Sequence, residues 1–266
     1  MSSSFSSDSQ HFHLREAPAD ESYPRAKDPP KKEKVSVPFF YAPSDDGTDE
    51  NILIFLHGLG DTHVPFSKLG RQLKLPQTAV LALRAPDQVP FLYEESYAWF
   101  PSFGDLGELI DRPNPTTALI LMEAVFRHLI DDCAWPAHRI HLFGFAQGGS
   151  VAVESALRWW RLQAASLGSI VTISGPLLSY PTLANPSPTP LLVAYRPAPA
   201  ETVLPAGALP AFRKGFQRVV ENKMDAKGPG MPASKTEWEP IMRFWSETLG
   251  KRRVDGIYEV MSGMAT

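Results

Sequence analysis

The stretch Gly144-Phe145-Ala146-Gln147-Gly148 sets two glycines about one apex residue. This is the spacing G-x-S-x-G, which raises a serine for attack on an acyl carbonyl. A short apolar run, Ile140 to Phe143, precedes it, and Gln147 to Leu162 follows with helical texture. The context is therefore strand, sharp turn, helix. In such a turn the apex side chain stands clear of the sheet and the next amide can donate to an oxyanion. The turn is tight enough to need small neighbours, which accounts for Gly144 and Gly148. The apex here is Ala146, whose methyl can attack nothing. The spacing implies acyl transfer, and the attacking atom is missing.

The remaining parts can be sought in the same way. Phe55-Leu56-His57-Gly58-Leu59-Gly60-Asp61-Thr62 ends an apolar run and enters a glycine-rich loop, the usual source of a second oxyanion amide. For the base, the chain offers His11, His13, His57, His63, His128, His138 and His141, none of which follows the elbow. Sites of this kind run nucleophile, acid, histidine along the chain, and a base must come within about 3 Å of the proton it takes. His57 and His141 fall in or at the ends of strands, where a structural hydrogen-bonding role is expected. Ser150 lies on the following helix and faces away from the apex. Cys133, beside Trp135-Pro136, has no evident base partner and reads as a packed thiol. His11-x-His13 and Asp131-Asp132 do not amount to a metal site, and no metal or cofactor is expected.

The elements that must position these residues are legible in the apolar rhythm. Short runs at Ile52–Leu56, Ala79–Leu83, Ile140–Phe143, Ile170–Ile173 and Leu191–Ala194 read as buried strands, and Val35 to Tyr41 as an edge strand that tolerates Pro38. Asp45-Asp46-Gly47 is a turn. Asn114-Pro115 opens a helix whose Ala118, Leu121, Met122, Val125, Leu129 and Ile130 share one face. Further helices are expected at Gln147–Leu162, Leu209–Glu221 and Thr236–Leu249, the last stopped by Gly250. Strands alternating with helices imply an α/β protein with a mostly parallel central sheet and helices on both faces. Residues 1–34 are rich in serine, proline and charge, and are expected to be a disordered tail. Residues 35–250 would form the domain and 251–266 a C-terminal extension. In that extension, Val254 to Val260 alternates like a strand and could pair with a sheet edge.

Composition narrows the function classes. A formal charge of −3 over 266 residues gives no case for nucleic-acid binding, and a single cysteine excludes an internal disulfide. No window nears the roughly 18 apolar residues of a membrane helix. The start of the chain lacks the apolar core of a secretory leader, and its acidic residues argue against a mitochondrial presequence. A cytosolic or nuclear location is expected.

With these motifs quoted, the chain resembles the phospholipase/carboxylesterase family of α/β-hydrolases, which contains the acyl-protein thioesterases. Leu56 to Thr62 matches the family's L-H-G-L-G-D-T, Ala85-Pro86 with Trp99-Phe100 its A-P and W-F, and Gly144 to Gly149 its G-F-S-Q-G-G except at the serine. The likeness runs from about Val35 to Leu249 and fades after Gly175. It implies the α/β-hydrolase fold, oxyanion donors at the Leu59 and Gln147 amides, and Gly58 and Trp99 at the pocket. The family's acid, in D-x-V-V-P, maps on Glu201 of Glu201-Thr202-Val203-Leu204-Pro205. Its histidine, in G-M-x-H, maps on Ala233 of Gly230-Met231-Pro232-Ala233. Two of three catalytic positions, Ala146 and Ala233, are thus without chemistry. The resemblance implies a non-catalytic relative whose groove holds an acyl, lipid or lipidated protein ligand. Two alternatives remain: an active ester or thioester hydrolase with a rearranged site, and a scaffold whose pocket is irrelevant.

Overall fold

The computed structural model describes residues 12–16, 25–89, 95–104, 106–200, 203–228, 230–252 and 258–262. Two compact units result. One, drawn from residues 1–24 and 251–266, contains an antiparallel ribbon of β1 (Phe12–Glu16) and β11 (Tyr258–Ser262), with Phe12 opposite Ser262 and Glu16 opposite Tyr258. The other, Arg25–Gly250, carries the central sheet.

In chain order its strands are β2 (Phe39–Ala42), β3 (Asn51–Leu56), β4 (Thr78–Leu83), the short pair β5 (Asp87–Gln88) and β6 (Tyr97–Ala98), β7 (Ile140–Phe145), β8 (Ser169–Ile173), β9 (Leu191–Tyr195) and β10 (Val219–Lys223). Its helices are α1 (His63–Leu73), α2 (Thr116–Asp131), α3 (Gln147–Gln163), α4 (Ala208–Gly215) and α5 (Lys235–Thr248). Seven strands join in the order β10-β9-β8-β7-β3-β4-β2, parallel throughout except for the antiparallel edge strand β2. The chain leaves β3 toward β4 on one side, then returns through α2 to β7 on the other. Strands β3 and β7 are neighbours whose exits diverge, which opens a crevice at their carboxyl ends, the place where such sheets bind ligands.

Alternation along the strands sorts the core onto two faces. Ile52, Ile54 and Leu56 of β3 join a cluster with Met122, Val125 and Phe126 of α2 and Val151 of α3. Leu53 and Phe55 point the other way, into a cluster with Phe66 of α1 and Ile241, Phe244 and Trp245 of α5. Helices therefore cover both faces, as the apolar runs predict.

Three sequence expectations differ from the structure. Helix α1 had no counterpart in the apolar pattern. Gly70 interrupts its rhythm and is needed there, since a Cβ would come within 2.6 Å of Val80 Cγ1 and 2.8 Å of Phe55 Cε2. The helix expected over Leu209–Glu221 stops at Gly215, and β10 takes up Val219–Lys223, where pairing with β9 outweighs helical propensity. Finally, the tail expected through Lys34 departs from that reading. Phe12–Glu16 is a strand, and Arg25–Lys34 packs on the domain. There Pro30 is buried, the Lys27 amide donates to Asp49 Oδ2 at 3.1 Å and the Lys31 amide to His128 Nε2 at 2.9 Å. Partly buried polar acceptors hold this segment, and composition does not reveal such partners.

Candidate functional site

The turn after β7 has the shape its spacing predicts. Ala146 sits at φ 47°, ψ −114°, a left-handed conformation that costs a non-glycine residue on the order of 1–3 kcal/mol. Its amide donates to Ile173 O at 2.8 Å, and its carbonyl accepts from Ser150 N at 3.0 Å as α3 begins. The glycines are required by close approach. A Cβ on Gly144 would lie 2.3 Å from Gly148 O, and one on Gly148 would lie 2.3 Å from Leu56 O. Across the crevice, a Cβ on Gly58 would meet Phe145 Cδ1 at 2.8 Å and Ala146 Cβ at 3.7 Å. The β3 loop and the elbow thus lie directly against each other.

Gln147 knits the neighbouring loop to this turn. Its Oε1 accepts from Trp99 N at 2.9 Å, and its Nε2 donates to Phe100 O at 3.0 Å and to Ser102 Oγ at 2.7 Å. Leu59 is exposed, and Gly60 N donates to Tyr97 O at 2.9 Å. Trp99 was expected at the pocket. It is fully buried, and its indole N–H donates to His57 O at 2.8 Å, which supports the loop from beneath.

The imidazoles near the sheet are committed elsewhere. Ala85 N donates to His57 Nε2 at 2.9 Å, which puts the proton on Nδ1, 2.7 Å from Gly58 O. Burial also pushes the His57 pKa below its usual value. His141 is fully buried between Ser169 Oγ at 2.8 Å and Asn51 Oδ1 at 3.3 Å, and burial, then Arg139, lowers its pKa to about 3. It lies near the start of β7, about 16 Å along the strand from the apex. Both are structural, as expected. His63, the first residue of α1, was not singled out by the sequence reading. It shares the carboxyl edge with the elbow, its Nδ1 has no hydrogen-bond partner among the described residues, and burial followed by the Arg84 charge lowers its pKa.

Ala233, the position that the resemblance matches to the family's histidine, is also fastened in place. Ala233 is exposed, and its amide donates to Glu237 Oε2 at 2.8 Å. Glu237 in turn grips the buried Arg196 with both oxygens, at 2.6 and 2.9 Å, while Arg196 also donates to Asp225 O and Met231 O. This pair lowers the Glu237 pKa to about 2, chiefly through the Arg196 hydrogen bonds. Neither residue was flagged from the sequence, where an Arg and a Glu separated by 41 positions carry no signal. Glu201 lies outside the described residues. Among the described residues no three His, Cys, Asp or Glu side chains gather as a metal site, and no helix is long and apolar enough to cross a membrane.

The sequence profile of the phospholipase/carboxylesterase family matches residues 42–227. An uncharacterized hydrolase of Mycosarcoma maydis is 39% identical over 217 residues, covering 80% of this chain and 82% of that protein. One from Schizosaccharomyces pombe is 30% identical over 148 residues, 53% of this chain and 60% of that protein. Among solved structures, esterase PE8 superposes with a TM-score of 0.65 at 22% identity, covering 81% of this chain and all (100%) of the other. Zea mays acyl-protein thioesterase 2 gives 0.64 at 21% identity, covering 80% and 100%. These two likenesses speak for the fold.

Proposed function

Since the chain belongs to the phospholipase/carboxylesterase family, we propose that it is a member that binds acyl groups without hydrolysing them. The observation that carries this reading is the elbow itself, whose strained backbone, glycines and Gln147 bonds are all in place around a methyl group. In this reading the Gln147 and Leu59 amides, at the start of α3 and in the β3 loop, hold a carboxylate or acyl carbonyl oxygen. The acyl chain lies in the crevice above β3 and β7. No acyl-enzyme forms, because the apex has no atom to attack with. Loss of the nucleophile or base of such a triad costs on the order of a millionfold in turnover. The Ala233 segment, held by Glu237 and Arg196, supports the reading, since it offers no imidazole to activate water.

Two assays test it. A fluorophosphonate probe should leave the protein unlabelled, and sodium decanoate or a lysophospholipid should raise its melting temperature. Serine labelling would overturn the non-catalytic part, and no shift with either ligand would overturn the binding part. One observation favours a rearranged hydrolase: among the described residues, His63 Nδ1 has no hydrogen-bond partner. Turnover of p-nitrophenyl acetate that disappears in His63→Gln would establish that reading instead.

A further inference from the structure

At the opposite edge of the sheet, where the parallel strands begin, the end of α2 holds a second set of chemically capable side chains. His128 Nδ1 lies 2.6 Å from Asp132 Oδ2, and Cys133 Sγ lies 3.7 Å from His128 Nε2. His128 and Cys133 are both buried. The sequence alone left Cys133 without a base. The helix end supplies one, because the His128 carbonyl accepts from both Asp132 N at 3.0 Å and Cys133 N at 3.2 Å, which turns the chain back on itself. The thiol then faces the imidazole from five positions earlier. A carboxylate on Nδ1 fixes the tautomer and leaves the Nε2 lone pair toward the sulfur. Nucleophile, base and orienting acid are therefore in sequence.

What occupies Nε2 is a main-chain group. The Lys31 amide donates to it at 2.9 Å, a shorter and stronger claim on the lone pair than the thiol makes. Lys31 belongs to the strap Arg25–Lys34, which crosses this spot and is tied down at both ends. Asp49 N donates to Arg25 O at 2.6 Å, and Lys34 Nζ sits 3.8 Å from Asp132 Oδ2. Tyr41, whose hydroxyl has no partner among the described residues, and Asp28 also face the thiol. Burial, then the charges of Asp132 and Asp28, push the Cys133 thiol up to about 11, with Lys31 opposing. Under the strap it is protonated and inert.

We propose that Cys133 is a latent nucleophilic thiol, a modification site for small soft electrophiles, switched on when the strap lifts and the Lys31 amide releases His128 Nε2. On release the Sγ–H bond breaks and an Nε2–H bond forms, giving a thiolate beside an imidazolium held by Asp132. The thiolate electron pair forms a bond to the electrophilic carbon. The leaving group departs with its own bonding pair, and the imidazolium returns its proton to water. This proposal stands apart from the reading of the elbow and does not depend on it.

The test is alkylation of the native full-length protein by iodoacetamide, read by mass. One cysteine gives one addition. Lys31→Pro deletes the blocking amide, and with it the strap's bond to His128 and the Lys31 charge that favours the thiolate. It should raise the labelling rate roughly tenfold or more over wild type. At about pH 6.5, below the usual thiol pKa of about 8.5, it should make the folded protein react faster than its urea-unfolded chain. Exposure alone cannot produce that second result. Adding His128→Gln should bring the rate back below that of the unfolded chain. Lys34→Glu, which leaves the main-chain bonds intact, should give a smaller rise and serves if circular dichroism shows Lys31→Pro unfolded. Labelling of the folded variant no faster than wild type would overturn the proposal, as would the same excess without His128.

Discussion

The two edges of the sheet make opposite compromises. At the carboxyl edge the elbow keeps its main-chain geometry, with Ala146 held left-handed between glycines that admit no side chain, around a methyl group. At the amino edge a thiol, an imidazole and a carboxylate stand within reach of one another, and the frame that would admit a substrate is closed by the strap. The contrast teaches that backbone geometry and reactive groups are separable. A fold keeps its turn because packing demands it, and acquires reactive neighbours wherever a helix end brings them together.

Substitutions at either edge test this separation. The largest effect is expected from Arg196→Met. It leaves Glu237 partly buried without its cation and frees the Ala233 segment, a loss of about 3–5 kcal/mol by urea denaturation. Gly148→Ala comes next. Its Cβ would meet the Leu56 and His57 carbonyl oxygens at 2.3 and 2.4 Å, so it should cost about 3 kcal/mol and unsettle the elbow while sparing Cys133 labelling. Acid should act in two steps. His141, with its pKa depressed from 6.5 to about 3, contributes stability that is complete above pH 6.5 and lost as pH falls toward 3. Glu237, depressed from 4.5 to about 2, contributes stability complete above pH 4.5 and lost toward 2. The urea midpoint should therefore decline below pH 6.5, and Glu237→Gln should flatten only its lower part.

Smaller effects complete the series. Asn114 Oδ1 accepts from Thr116 N at 3.0 Å at the start of α2, so Asn114→Ala should cost about 1 kcal/mol and leave thiol reactivity unchanged. Ala146→Ser should change stability little and leave p-nitrophenyl acetate hydrolysis at the background rate, because no base follows. Only with Ala233→His added should a trace of turnover appear. Strong rescue by the serine alone would mean that a base already faces the apex.

The sheet and the elbow were legible because they rest on local rules. Apolar runs mark β3, β4, β7, β8 and β9, and glycine spacing marks the turn. What the sequence concealed depends on partners far along the chain. Strand β10 hides half-polar at an edge, and Gly70 interrupts α1 for the sake of Val80 and Phe55. Arg196 finds Glu237 only in the folded state, and His128 acquires Lys31 from a segment whose composition reads as tail. The alanines at 146 and 233, on which the proposed reading rests, are plain in the letters. That Trp99 supports the loop from within is not.

The fastening of Ala233 makes the two positions of the proposed reading, Ala146 and Ala233, unequal. At the apex a hydroxyl could be set in place with the main chain undisturbed, since the left-handed turn already stands ready for it. An imidazole at Ala233 would start from an exposed loop whose amide is bound to Glu237, and any swing toward the crevice would tug on a buried guanidinium. On the proposed reading, building acyl chemistry here is thus a matter of remodelling one loop, and an imidazole at Ala233 is harder to place than a hydroxyl at Ala146.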